Sequence, residues 1–325
     1  MEFIQPYQES FNNYLKDHPF IGKPDGLYTP ANYLLSLGGK RLRPVFVLMG
    51  CDLYCQSYDH ALPAAWSMEV FHNFTLCHDD IMDHADLRRG KPTVHQKYGM
   101  NTAILSGDLM MIKAYESLLG YNDDQLSRKL LDIFTRTAIE VCEGQQMDMD
   151  FEIIDTVQIQ DYLEMITLKT SVLLAACLQT GALIGGAGTD DQKHLYEFAK
   201  NYGIAFQLQD DVLDTFGDES LVGKKIGGDI LRNKKTYLYL KALEMASDAE
   251  KQLLIELYST QTDNPARKIA VVSGIFQSLN VTEYAAMTIE AYRDLAVSHL
   301  HACNISTAYK QNLTDMLDQL VFRKF

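Results

Sequence analysis

The chain has 325 residues, of which 47% are hydrophobic and 22% charged, with a formal net charge of −14. That is enough chain for an ample core in one or two domains, in an ordinary globular composition. The acidic balance argues against nucleic acid or an anionic membrane surface as partner, and six cysteines without CxxC spacing or a paired framework suit reduced thiols in a cytoplasm.

The first nineteen residues, MEFIQPYQESFNNYLKDHP, show no basic segment followed by an apolar one, so no signal peptide is expected. They read as a short amphipathic helix that Pro19 ends. No apolar run reaches the length of a membrane span, so no transmembrane segment is expected. Gly38-Gly39-Lys40-Arg41-Leu42-Arg43-Pro44 follows. Its glycines let backbone approach an anion, and Lys40 and Arg43 can grip a diphosphate, one as a point charge and the other as a planar fork. Alone, this group also fits a plain loop.

A helical pattern then carries Glu69-Val70-Phe71-His72, an ExxH of the kind found as a half-site in helical di-iron proteins. No second ExxH occurs. His72 is therefore either a satisfied core histidine or a group lining the cavity of Asp79, seven residues on. Asp79-Asp80-Ile81-Met82-Asp83 is a DDxxD, in which Asp79 and Asp83 share a helix face one turn apart. Stepping back from Asp79 in fours gives Thr75 and Phe71, so the pair continues an apolar stripe. Arg88-Arg89-Gly90-Lys91-Pro92 comes one to two turns later, and alone it reads as a solvated loop.

The segment Asp161 to Ile184 is apolar almost all round, as a buried helix should be. Lys169-Thr170 interrupts it, and a lysine there must snorkel or find an anion. Gly185-Gly186-Ala187-Gly188 ends the helix, and Thr189-Asp190 offers cap chemistry for the next. That helix runs through Leu195, Phe198, Ala199, Tyr202, Ala205 and Phe206 into a second DDxxD, Asp210 to Asp214, with Gln207 on nearly the same face. Beyond lie Gly223-Lys224-Lys225-Ile226-Gly227-Gly228-Asp229 and Lys234-Lys235-Thr236-Tyr237, either a surface loop or a lid. Residues 242–325 show amphipathic stretches without a chemical cluster.

A carboxylate on an apolar stripe is costly unless paired or bound to a cation. Two such clamps suggest a hard divalent metal, most simply Mg2+ holding a phosphorylated substrate. The plainer reading is two solvated acidic faces. Bound Mg2+ would also reconcile an acidic chain with an anionic substrate. The pattern as a whole predicts one all-α domain over residues 1–325, of ten or more helices with a buried central set.

The ordered set GGKRLRP, EVFH, HDDIMDHADLRRGKPTVH, LKTS, QLQDDVLDTFGD and GKKIGGD…NKKTY resembles the all-trans polyprenyl diphosphate synthases from Gly38 to Tyr237. The resemblance implies an all-α bundle around a deep central cavity, a homodimer, and head-to-tail condensation of an allylic diphosphate (dimethylallyl, geranyl or farnesyl) with isopentenyl diphosphate. It implies three Mg2+ ions, or Mn2+ in their place, on Asp79, Asp83 and Asp210, with Asp80 and Asp214 in support. Lys40, Arg43, His72 and Arg89 correspond to the isopentenyl diphosphate pocket. Arg88, Lys169, Thr170, Gln207, Lys224 and Lys234 correspond to the allylic diphosphate contacts, with Lys169, Thr170 and Gln207 in the catalytic roles. Phe74 and Thr75, the fifth and fourth residues before an uninserted first clamp, point to a C20 product, geranylgeranyl diphosphate. Phe71 keeps farnesyl diphosphate as the alternative.

Two departures bear on this. The family's frequent KSTYP reads Lys234-Lys235-Thr236-Tyr237-Leu238, which leaves the reach of Lys234 open. Arg323-Lys324 is a weak counterpart of the family's basic tails. A terpene cyclase would usually replace the second DDxxD, and a non-catalytic partner subunit would tend to lose a clamp or a basic pocket; this chain keeps them.

Overall fold

Helical periodicity is realised almost throughout. In the computed structural model, the described residues are 2–55, 57–154, 156–217, 226–259 and 263–321, and they form helices joined by short turns with one two-stranded hairpin. They gather into two compact units: Met1–Arg136 with Ala176–Lys193, and Thr137–Ala175 with His194–Phe325.

The first unit opens with α1 (Gln5–Asp17), which buries Tyr7 and Phe11 and stops at His18, before Pro19 as the sequence predicts. It continues through α2 (Asp25–Ser36), α3 (Leu42–Asp52), α4 (Leu62–Met82), the hairpin β1 (Leu87–Arg88) and β2 (Lys91–Pro92), α5 (Val94–Tyr98) and α6 (Met100–Leu119). The start of α7 (Asp124–Ile153) and most of α9 (Val172–Ile184) complete it. Helix α4 packs against both α3 and α6, burying Ala64, Ala65, Met68, Val70 and Phe71. The Ser67 hydroxyl, fully buried on α4, donates to the Ala114 carbonyl of α6 at 2.8 Å. Helices α3 and α9 touch backbone to backbone. A methyl group on Gly181 would stand 1.9 Å from the Val47 carbonyl oxygen, and one on Gly50 would stand 2.4 Å from that of Leu178. Only hydrogen fits at this seam.

The second unit holds the rest of α7, α8 (Ile159–Ile166), a π-helical turn (Thr167–Ser171), α10 (Thr189–Phe216) from His194 on, α11 (Gly228–Leu231), α12 (Tyr237–Met245), α13 (Asp248–Ser259), α14 (Pro265–Ser278), α15 (Val281–Ala302) and α16 (Thr307–Val321). A capping box between Gln158 and Asp161 starts α8. The path from α8 to α9 is continuous over 26 residues, Ile159–Ile184. By length and composition alone this helix could cross a membrane, which corrects the expectation that no run is long enough. Because 67% of its most apolar window is buried within the protein, it is a core helix here. Helix α10 begins at Thr189 itself, so its cap is Gly188, one residue earlier than expected, and the Gly188 carbonyl accepts from the Gln192 N–H at 3.0 Å. All six cysteines are free, and burial pushes the Cys51 and Cys77 thiols up to about 12.

Candidate functional site

In the first unit, α4 ends at Met82 and Asp83 is its cap, with the Asp83 N–H on the Asp79 carbonyl at 2.8 Å. His84, at φ 50°, turns the chain away. The first aspartate motif therefore stands at the negative end of a helix dipole, where carboxylates are disfavoured unless a cation joins them. Its members differ. Asp79 is half-buried and Asp83 exposed, whereas Asp80 is buried on Arg88. The Arg88 Nε lies 2.9 and 2.8 Å from the two Asp80 oxygens, and its Nη2 lies 2.7 Å from Asp80 and 3.8 Å from Asp79. Burial pushes the Asp80 carboxyl up, and the Arg88 contact opposes that.

The hairpin aims these cations. Its register pairs Leu87 with Pro92 and Arg88 with Lys91, leaving Arg89 and Gly90 as a two-residue turn with φ of 53° and 73°. Both values are positive, as a type I′ turn requires. Arg89 reaches toward the glycine loop, where a methyl on Gly39 would lie 2.6 Å from its Nη2. The loop enters α3 through Arg41, itself at φ 53°. Arg41 is buried, 2.5 Å from Glu69 Oε1 and 2.6 Å from the Leu35 carbonyl. Asn73 adds a 3.1 Å bond to the same Glu69 oxygen.

Glu69 is thus taken by Arg41, and the remaining cations push on one another. Burial first, and Arg89 among the charges, lowers Arg43 from its ordinary value. Burial and then Arg41 lower Arg89. Burial, then Arg43, Arg89, Arg88 and Arg41, holds His72 well below 6.5, so its imidazole is neutral at pH 7. The Arg43 Nε is buried with no hydrogen-bond partner among the described residues. This corner carries surplus positive charge and suits a compact anion. Lys40 is exposed, and its carbonyl accepts from Gln8 at 2.8 Å.

Upstream of the clamp, Phe71 and Phe74 are in ring contact with centroids 5.7 Å apart. Phe71 is fully enclosed and also meets Phe134 at 5.1 Å, and Phe134 meets Tyr115 at 4.7 Å. Phe74 and Thr75 are half-buried, and the Thr75 hydroxyl donates to the His72 carbonyl at 2.8 Å.

In the second unit, the second motif lies at the carboxyl end of α10, again the negative end. Asp210 and Asp214 are half-buried and Asp211 buried. The Tyr162 hydroxyl donates to Asp211, and the Gln207 Nε2 donates to it at 3.3 Å. Burial pushes the Asp211 carboxyl well up. Asp214 accepts the Asp229 N–H at 2.8 Å. Lys169 and Thr170 sit in the π turn, whose Val172 N–H bonds the Thr167 carbonyl. Lys169 has found its anion. Its Nζ is 2.6 Å from Asp148 Oδ2, and Lys234 Nζ is 3.5 Å from the same oxygen. Lys234 therefore reaches Asp148, beside Lys169, with Leu238 where the family's turn proline would stand. Burial alone would raise Asp148, but Lys169 and Lys234 together hold it below the usual carboxylate range. Lys224, with Arg323-Lys324, lies outside the described residues.

Sequence reading did not single out Asp148, Tyr162 or Phe134, and it named Arg41 and Glu69 only within the glycine-rich group and the ExxH, without pairing them. Asp148 could have been noticed as an acid between two methionines; Tyr162 bonds a residue 49 positions away and leaves no local sign.

Comparison with known proteins bears on all of this. The family model for polyprenyl synthetase matches residues 24–275. A geranylgeranyl diphosphate synthase of Sulfolobus acidocaldarius is 38% identical over 96% of this chain and 89% of its own. A geranylfarnesyl diphosphate synthase of Natronomonas pharaonis is 35% identical over 99% of this chain and 97% of its own. A crystal structure of a geranylgeranyl pyrophosphate synthase superposes with a TM-score of 0.94 at 44% identity, covering 99% of each chain. With its helical architecture and its motifs in order, the chain belongs to the polyprenyl synthetase family and is a prenyltransferase.

Proposed function

We propose that this chain is a geranylgeranyl diphosphate synthase, condensing an allylic diphosphate (dimethylallyl, geranyl or farnesyl) with isopentenyl diphosphate as a single synthase domain over 1–325. The observation that carries the reading is an aspartate pair, one turn apart, at the negative end of a helix in each unit. When bound, Mg2+ or Mn2+ (three ions by the resemblance) supplies positive charge to stabilise a departing diphosphate. Asp79, Asp83, Asp210 and Asp214 offer hard carboxylate oxygens that fit it. Among the described residues no three metal-ligating side chains converge. That suits an ion which takes one or two carboxylates and completes its shell with substrate phosphate. Asp80 supports the first pair from its bond to Arg88.

Lys40, Arg43, neutral His72 and Arg89 hold isopentenyl diphosphate. Arg88, Lys169, Thr170, Gln207, Lys224 and Lys234 serve the allylic diphosphate. As the allylic carbon–oxygen bond breaks, the lysines and Arg88 take up charge on the leaving group. With its Nε2 turned to Asp211, Gln207 has a carbonyl oxygen with which to steady the allylic cation, a role it shares with the Thr170 hydroxyl. The double bond of isopentenyl diphosphate attacks that cation, forming the new carbon–carbon bond, and the released diphosphate takes the proton. Orientation of the two substrates contributes much of the rate.

The C20 product follows from Phe74 and Thr75 before an uninserted clamp, with relatives named for geranylgeranyl diphosphate in support. Farnesyl diphosphate is the runner-up, because Phe71 backs Phe74. Labelled isopentenyl diphosphate, an allylic primer and Mg2+, with products identified by mass spectrometry, test the reading. Linear C20 diphosphate is expected. A cyclic hydrocarbon would indicate a cyclase, and no turnover a subunit needing a partner. Arg43→Ala should raise the isopentenyl KM, and Lys224→Ala the allylic KM; a reversed pattern would exchange the two pockets.

A further inference from the structure

Three features of the second unit converge on the π turn. Gly144 on α7 faces its backbone so closely that a methyl would stand 2.2 Å from the Lys169 nitrogen. One helical turn further along α7, on the same face, Asp148 accepts Lys169 and Lys234 on a single carboxylate oxygen. From the other helix, Gly203 of α10 meets Ser171, where a methyl would lie 2.8 Å from its Cβ. The loop carrying Lys234 is fastened a second time just past the end of α7, since the Lys235 Nζ donates to the Ile154 carbonyl. A π turn places side chains where a regular helix would not, and it persists only where the surroundings hold it.

We infer that Asp148 is a positioning residue that gathers Lys169 and Lys234 so that both ammonium groups act on one diphosphate. The inference rests on the proposed allylic role of those lysines. An ammonium has three N–H donors, so a bond to Asp148 does not by itself exhaust either lysine. Because both nitrogens touch one oxygen, they stand within reach of a single diphosphate. Long lysine side chains otherwise disperse over many rotamers, and ordering them in advance removes that loss from the chemical step.

Three variants test this. Asp148→Ala should lower kcat on the order of 10²-fold, as loss of a charge-stabilising group does, with the isopentenyl KM unchanged within about twofold. Asp148→Asn keeps an acceptor oxygen and should recover most of the loss; equal loss in both would mean that charge, not position, matters, and would overturn the inference. In a Lys169→Met/Lys234→Met background the further change Asp148→Ala should have less than about a threefold effect, because coupled residues do not add. A full additional loss there would show a merely structural role. A readout without substrate or Mg2+ is acetylation by acetic anhydride, followed at each lysine by peptide mass spectrometry. With Asp148 gone neither nitrogen is held against a carboxylate, so Lys169 and Lys234 should be more open to the reagent and label severalfold faster in Asp148→Ala than in wild type. Unchanged labelling would overturn the inference even if chain extension is confirmed. Faster labelling in an enzyme that extends no chain would leave the gathering intact and reject the proposed function.

Discussion

The two aspartate motifs share a division of labour among their members. In each, the second aspartate turns inward: Asp80 to Arg88, and Asp211 to Tyr162 and Gln207. The first and fifth are left half-buried or exposed. The two classes should fail differently. Asp79→Ala or Asp210→Ala should cost about 10²-fold or more in kcat with Mg2+ present and leave the melting temperature nearly unchanged; near-normal turnover in either would reject the clamp. Asp80→Ala should instead destabilise the fold by roughly 1.5–3 kcal/mol, the range for a hydrogen bond to a charged group, read by chemical denaturation. His72 makes a separate prediction. Its folded-state value lies below the unfolded value of 6.5, so the unfolded chain binds the proton first as the solution is acidified. Its contribution to stability is complete above about pH 6.5 and declines as the pH falls toward the folded-state value. Thermal unfolding from pH 8 to 5 should therefore show a steeper acid decline in wild type than in His72→Gln. Identical slopes would mean that His72 is not held neutral.

At the scale of elements, most of what sequence reading could name was helix identity. Periodicity gave α1 to its stop at Pro19, the buried run from α8 to α9, and α10 into its aspartates, because burial of one face leaves a pattern in the residues themselves. The π turn left none. TLKTS reads as ordinary helix, and the room for its extra residue comes from Gly144 and Gly203 on neighbouring helices, which lie 25 and 32 positions away in sequence from the turn's Lys169 and Ser171 respectively. Gly144→Ala should thus destabilise by about 1–3 kcal/mol, as overpacking does, and lower turnover through Lys169; a melting curve matching wild type would show that the turn can yield. Helix α4 carries a prediction about length. At 1.5 Å per residue, Phe74 lies about 7.5 Å and Phe71 about 12 Å below Asp79. Phe74→Ala should lengthen the product by at least one isoprene unit. An unchanged product distribution would remove Phe74 as the floor, and Phe71, locked against Phe134, would be the next candidate.

For the whole molecule, the sequence announced the chemistry better than its support. The motif residues were legible because charged groups on apolar stripes are conspicuous; Asp148, Tyr162 and the Arg41–Glu69 pair were not, because their partners are distant in sequence. For the homodimer that the resemblance implies, we propose α6 as the contact surface. On α6, Leu105, Ile112 and Leu119 are 59%, 65% and 62% exposed, an apolar row at seven-residue spacing. Ile112→Lys should shift the species seen by sedimentation from dimer to monomer; a wild-type chain that sediments as a monomer would reject the dimer. The seam of α3 on α9 has a different consequence. In a saturation library selected for prenyl transfer, Gly50 and Gly181 should be as empty of substitutions as Asp79, although neither lies in any chemical motif. Intolerance alone would then misassign both glycines to catalysis. A parallel selection for folded abundance separates the two: Asp79 variants should survive it, and variants of Gly50 and Gly181 should vanish from both.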